Sequence, residues 1–204
     1  IIVSLVGSEM CIRDSLNIGL NYPKMDPSEV RRRRAEGLAH LQFACKLYRY
    51  QVKHNRHFLH EHPAGAVSWK EECVQDLMKT KGVGVATGDQ CEYGLVTPSA
   101  QNPKVSMPAK KHTRFMSTSP QMLQRLSRLC SGDHEHQPLL GGRAAAAAFY
   151  PLPLVLEMLR GIRDTADALD VQRNEAFETQ RVMSTMEEMG ELDVRAGELS
   201  MVAI

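Results

Sequence analysis

The chain has 204 residues, with 43% hydrophobic and 5% aromatic content, enough for one core of ordinary size. Its formal charge of +1 conceals an asymmetry: residues 164–204 carry ten acidic and three basic residues, net −7, which leaves +8 before them. Wide, irregular cysteine spacing excludes a disulfide scaffold, and the longest apolar run, Ala144 to Leu159, contains two prolines and a glutamate, which excludes a bilayer span. The cysteine usage predicts a reducing compartment, nucleus or cytoplasm, with no membrane partner. A basic body ahead of an acidic tail points to an anionic partner such as nucleic acid; the plain alternative is a solvated face plus a polar linker.

In chain order, Leu5 to Ser15 (LVGSEMCIRDS) comes first. These eleven residues back-translate, codon by codon, to the tail of a transposase adapter used in building sequencing libraries. Residues 1–15 are therefore expected to be an artefact, with the natural chain cut on its N-terminal side and Cys11 without chemistry.

From Asp26 the pattern turns helical. Asp26 or Ser28 can cap, Pro27 or Glu29 fits the first turn, and Leu38, Leu41, Ala44, Cys45, Tyr48 and Val52 recur on one face. His57 to Glu61 predicts a short strand stopped by Pro63. Ser68 opens a second helix with Trp69, Cys73, Leu77 and Met78 inward. Val83 to Thr87 predicts a second strand, and the polar stretch to Lys111 a loop. HTRFMSTS predicts a third strand, and Ser119-Pro120 a third helix ending near Cys130. Ala144 to Ile162 is expected to be helical around Pro151 and Pro153. Residues 164–204 read as an acidic linker or docking helix. The alternation predicts an α/β domain over residues 16–163, with helices covering a largely parallel sheet.

Four segments, HFLHEHPAGAVSW, GDQCEYGL, PAKKHTRFMSTS and CSGDHEHQPLLGGRAAAAAFYP, taken in this order, resemble the methyltransferase-like module of retrotransposon-type polyproteins. That module is in turn distantly similar to the C-terminal half of DNA cytosine-C5 methyltransferases. The resemblance implies an incomplete Rossmann-like sheet, truncated at its N-terminal side, and an ancestral role in recognising or modifying DNA bases. It implies Glu61 as the catalytic carboxylate at N3 of a flipped cytosine. His62, Pro63, Gln90, Tyr93, Lys111 and Thr113 would then bind substrate, with neighbouring polyprotein domains as partners. His62 stands where the family has asparagine, and His112 replaces a proline. The glycine-rich turn for S-adenosylmethionine and the loop with the nucleophilic cysteine are absent, so that cofactor belongs to an intact parent and this chain is expected to be inactive.

A second constellation competes. The triplet HEH occurs at His60–His62 and again at His134–His136. On a strand, each pair would present two imidazoles on one face. Cys91, Cys130, His134 and His136 then form a candidate zinc set, although their spacing is not that of a standard finger and ordinary solvated histidines are the plain alternative. Arg31 to Arg34 could contact phosphates, but at helical spacing they spread around the helix as a solvated segment. Three expectations stand: an inactive methyltransferase-like fragment, a zinc-stabilised nucleic-acid-binding module, or a non-catalytic polyprotein spacer.

Overall fold

The computed structural model describes residues 25–140, 143 and 147–201, with side chains described to residue 186. The adapter-like stretch and Ala144–Ala146 lie outside the described residues. The chain divides into two compact units, one ending at Arg163 and the other beginning at Asp164. Among the described residues, no helix is long and apolar enough to cross a membrane.

Helix α1 runs Pro27–Lys53. The Asp26 carboxylate accepts from the Ser28 and Glu29 amides, satisfying donors that have no partner within the helix. Leu41, Ala44, Cys45 and Tyr48 are buried, as their spacing predicts, while Leu38 and Val52 are half-buried. Strand β1 is Leu59–Pro63, two residues later than expected. Pro63 is its last residue. A 3-10 turn, Val67–Lys70, precedes the short helix α2, Glu72–Met78. Strand β2 is Gly84–Asp89, followed by a 3-10 turn over Gln90–Tyr93. The polar stretch expected to be loop contains a small hairpin, β3 Val96–Pro98 with β4 Ser106–Pro108. Strand β5 is His112–Ser117, and helix α3 is Pro120–Arg125, capped by Ser119 and shorter than predicted. Helix α4 is Leu152–Met201.

The main sheet has the order β1-β5-β2, and both pairings are antiparallel. This corrects the expected parallel sheet. Alternating helices and strands imply parallel pairing only when each crossover returns the chain in the same direction. Here β5 enters between β1 and β2 from the opposite end. The outcome is a mixed α/β fold with small antiparallel sheets.

Register explains the two faces. Leu59 and Glu61 share a face with Phe115 and Ala86; His60 and His62 share the other with Arg114 and Met116. Phe115, Leu59, Tyr93, Met122, Leu126, Leu154 and Met158 form the core on the first face, beneath α3 and the start of α4. Met116 joins Leu41, Tyr48, Phe58, Trp69 and Leu77 on the second, beneath α1 and α2. Each of these large buried side chains contributes roughly 2 kcal/mol of burial. The second face explains the first HEH triplet. His60 is buried against Tyr48, whose hydroxyl lies 3.3 Å from Nδ1, and His62 Nδ1 is hydrogen-bonded to Ser68 Oγ at 2.5 Å. These imidazoles are held within the core, and the cluster of possible metal ligands among the described residues does not include them.

Burial pulls the His60 pKa down to about 4. His57 is lowered in the same direction, also by burial. The unfolded chain then binds a proton that the folded chain refuses between pH 6.5 and 4. The stability that neutral His60 preserves is complete above pH 6.5 and is lost as pH falls toward 4, by about 3 kcal/mol. Denaturant titrations at pH 7 and pH 4.5 should show a steeper acid loss for the wild type than for His60→Phe. Equal slopes would refute the assignment.

Candidate metal centre

The centre is built where β2 ends. Asp89 closes the strand almost fully buried. Its Oδ2 accepts the Cys130 amide at 2.9 Å, and its Oδ1 lies 2.7 Å from His112 Nδ1. Its own amide donates to the Arg128 carbonyl at 2.8 Å. Burial pushes the Asp89 carboxyl up, but the Cys130 amide, His112 and Lys110 outweigh it and leave the group below its ordinary value. One carboxylate therefore ties the loop around Cys130 to the end of the sheet.

Cys91 follows two residues later, inside the 3-10 turn Gln90–Tyr93. Gly94 ends that turn at φ 80°, a left-handed conformation that glycine adopts without a Cβ clash. Downstream, Gln137 anchors the far side of the Cys130 loop. Its amide donates to the Pro108 carbonyl at 2.8 Å, and its Oε1 accepts the Ala100 amide at 2.7 Å.

Between these anchors, one ligand atom each from Cys91, Cys130, His134 and His136 lies within 4.8 Å of the others. Cys130 Sγ is 3.3 Å from His136 Nε2 and 3.6 Å from His134 Nε2. Tetrahedral zinc, with bonds near 2.3 Å to sulfur and 2.05 Å to nitrogen, separates sulfur from nitrogen by about 3.5 Å. Both imidazoles present Nε2. Asp133 Oδ1 lies 2.7 Å from His134 Nδ1, so a proton on Nδ1 leaves Nε2 free to ligate. Burial, reinforced by the adjacent Cys130 thiol, pushes Cys91 up to about 12. Two thiolates this close are disfavoured unless a cation lies between them, and a dication supplies that charge. The four residues could hold one metal ion.

The residues singled out by resemblance divide between two places. Gln90 Nε2 donates to Thr113 Oγ1 at 3.0 Å and reaches Glu61 Oε1 at 3.4 Å. Tyr150 donates to Glu61 Oε2 at 2.8 Å. Lys111 lies 5.5 Å from the Tyr150 ring centre and donates to the Ala147 carbonyl at 3.3 Å. Glu61, Gln90, Lys111 and Thr113 thus meet, with Tyr150 added. Gln90 is fully buried and its Oε1 has no hydrogen-bond partner. Three others lie elsewhere. His62 points to the opposite face, the Pro63 carbonyl accepts the Trp69 indole at 2.9 Å, and Tyr93 is buried with its hydroxyl donating to the Arg125 carbonyl at 2.9 Å.

Sequence reasoning missed Asp133, Asp89 and Tyr150. Asp133 was accessible to it, since an acid directly before a candidate ligand is a ready second partner. Tyr150 is 89 positions from Glu61, and nothing local connects them. Comparison with family models, curated proteins and solved structures finds no match.

Proposed function

We propose that this chain is a zinc-stabilised nucleic-acid-binding module. The observation that carries the metal reading is the convergence of four soft and borderline donors within 4.8 Å, from two segments 39 positions apart. With two cysteines and two histidines the coordination shell is full, so the ion serves structure and no site is left for substrate. It would join the end of β2 to the Cys130–His136 loop. That loop has few apolar contacts of its own, and a metal replaces the core it lacks. The nucleic-acid reading is supported by the charge of the body, +8 ahead of residue 164. The intracellular compartment inferred from the cysteines suits both.

Native mass spectrometry of the full chain, purified without chelator, should show one zinc per chain. Fluorescence anisotropy should show a labelled oligonucleotide bound with salt-dependent affinity. A protein that folds identically without metal and takes up none when zinc is supplied would overturn the metal reading.

A second reading keeps the methyltransferase-like resemblance. It is favoured by the meeting of Glu61, Gln90, Lys111 and Thr113, which are distant in sequence and were all named by that resemblance. In this reading the chain is the C-terminal part of an incomplete Rossmann-like domain within a retroelement polyprotein, inactive alone. S-adenosylmethionine would bind only the intact parent. Failure of an N-terminally extended chain to bind S-adenosylmethionine would remove it.

A further inference from the structure

We propose that Cys91 and Cys130 are a peroxide-oxidisable dithiol that switches the metal centre off by closing to a disulfide, an inference that rests on the metal reading above. Their sulfurs lie within 4.8 Å of each other. The backbones behind them are already joined. The Asp89 amide donates to the Arg128 carbonyl at 2.8 Å, and the Cys130 amide donates to Asp89 Oδ2 at 2.9 Å. Each cysteine stands two residues beyond one end of the first of these bonds. Side-chain rotation can then bring the sulfurs to the ~2.05 Å of a disulfide without parting the end of β2 from the loop.

Bound to zinc, both sulfurs are thiolates, the form that attacks peroxide. Cys130 is half-buried and Cys91 is the most enclosed of the four ligands, so Cys130 meets a solvent-borne oxidant first. Its sulfur attacks one peroxide oxygen, the O–O bond breaks and hydroxide leaves, giving a sulfenic acid. The Cys91 thiolate attacks that sulfur, the S–O bond breaks and a second hydroxide leaves. The two sulfurs lose two electrons, the two peroxide oxygens gain them, and two protons from solvent convert both hydroxides to water.

Disulfide sulfurs are neutral and poor ligands, and His134 and His136 alone cannot fill a tetrahedral shell, so the ion is released. Cys130 stays tethered to the end of β2, while the segment carrying the two histidines loses its anchor. A thiol reductant reverses the step by exchange. Cys45 is placed differently. It is 0% exposed in the core beneath α1 and α2, shielded from the oxidant, with Cys73 packed against the same cluster.

The experiment treats full-length, zinc-loaded protein with hydrogen peroxide, follows zinc release with a chromogenic chelator, and maps disulfides by mass spectrometry of unreduced peptides. One zinc should leave for each Cys91–Cys130 disulfide formed, Cys45 and Cys73 should stay reduced, and dithiothreitol with added zinc should restore the metal content. Cys91→His keeps four ligands but removes the second sulfur. Loaded with zinc, it should lose the metal to peroxide at least about ten-fold more slowly and form no disulfide. If that variant takes up no zinc, the wild-type map alone decides. Zinc retained with Cys91 and Cys130 still reduced would overturn the switch and leave the metal centre standing. So would zinc release with Cys130 carried to sulfinic acid and no disulfide. Wild type that holds no zinc before peroxide is added would overturn the metal reading and the switch with it.

Discussion

Cys130→Ser should abolish zinc binding and lower stability by at least about 4 kcal/mol, the range reached when a structural metal is lost. For a chain of this length that is a fall of roughly 10 °C in melting temperature. Cys130 is the residue to change because its sulfur is the shared neighbour, 3.3 Å from His136 Nε2 and 3.6 Å from His134 Nε2. Serine keeps the backbone amide that donates to Asp89, so the loop anchor survives and only the ligand is removed. Chelator-treated wild type should melt where the variant melts. Calorimetry with and without added zinc is the measurement, and a wild type whose melting is indifferent to chelator would sink the centre.

Gly88→Ala tests the other support of the same loop. A Cβ at Gly88 would fall 2.4 Å from the Leu126 carbonyl oxygen and 3.3 Å from that of Arg128. Both are backbone atoms, so no flexible side chain can swing aside. The chain after α3 must move away from β2, which strains the Asp89 amide bond to the Arg128 carbonyl. Overpacking of this kind costs about 3 kcal/mol. The displaced segment leads directly to Cys130, so zinc affinity should fall together with stability. Ala86→Gly, one strand repeat away, should cost much less, about 1 kcal/mol of strand propensity. A Gly88→Ala protein with wild-type melting and zinc content would show that the loop is not held by this close approach.

The two variants probe different levels of the same arrangement, and the sequence made them unequally visible. Helix α1 was legible because its stripe, Leu41, Ala44, Cys45 and Tyr48, recurs at helical spacing and because Asp26 and Pro27 mark its start. The strands were legible within about two residues, since β1, β2 and β5 are short β-prone runs bounded by glycine, proline or polar residues. The hairpin β3–β4 was not, because Val96–Pro98 and Ser106–Pro108 are three residues each and carry almost no periodic signal.

The candidate site divides in the same way. Residue chemistry alone picked out Cys91, Cys130, His134 and His136, because few side chains bind metal and Cys130 lies four residues before the second HEH triplet, although the spacing of the set matches no standard finger. It could not separate the two HEH triplets, which are identical as strings. Their fates were decided by tertiary surroundings. His60 and His62 alternate with Glu61 on a strand whose inner face packs on Tyr48 and Ser68, whereas His134 and His136 lie in a loop beside two sulfurs. The ion pairs of Glu157 with Arg125, Arg128 and Arg160 were equally hidden, since they form only because α3 and α4 pack on one face of the sheet around Phe115.

By itself the sequence determined where α1 and the strands of the main sheet form and which residues can ligate or titrate, because capping, periodicity and donor type are local properties. Only the tertiary structure decided strand direction, the identity of the buried histidines and the convergence at Cys130. Those depend on which distant segments share a face, and that is set by the lowest free energy of the whole core and not by any short stretch of chain.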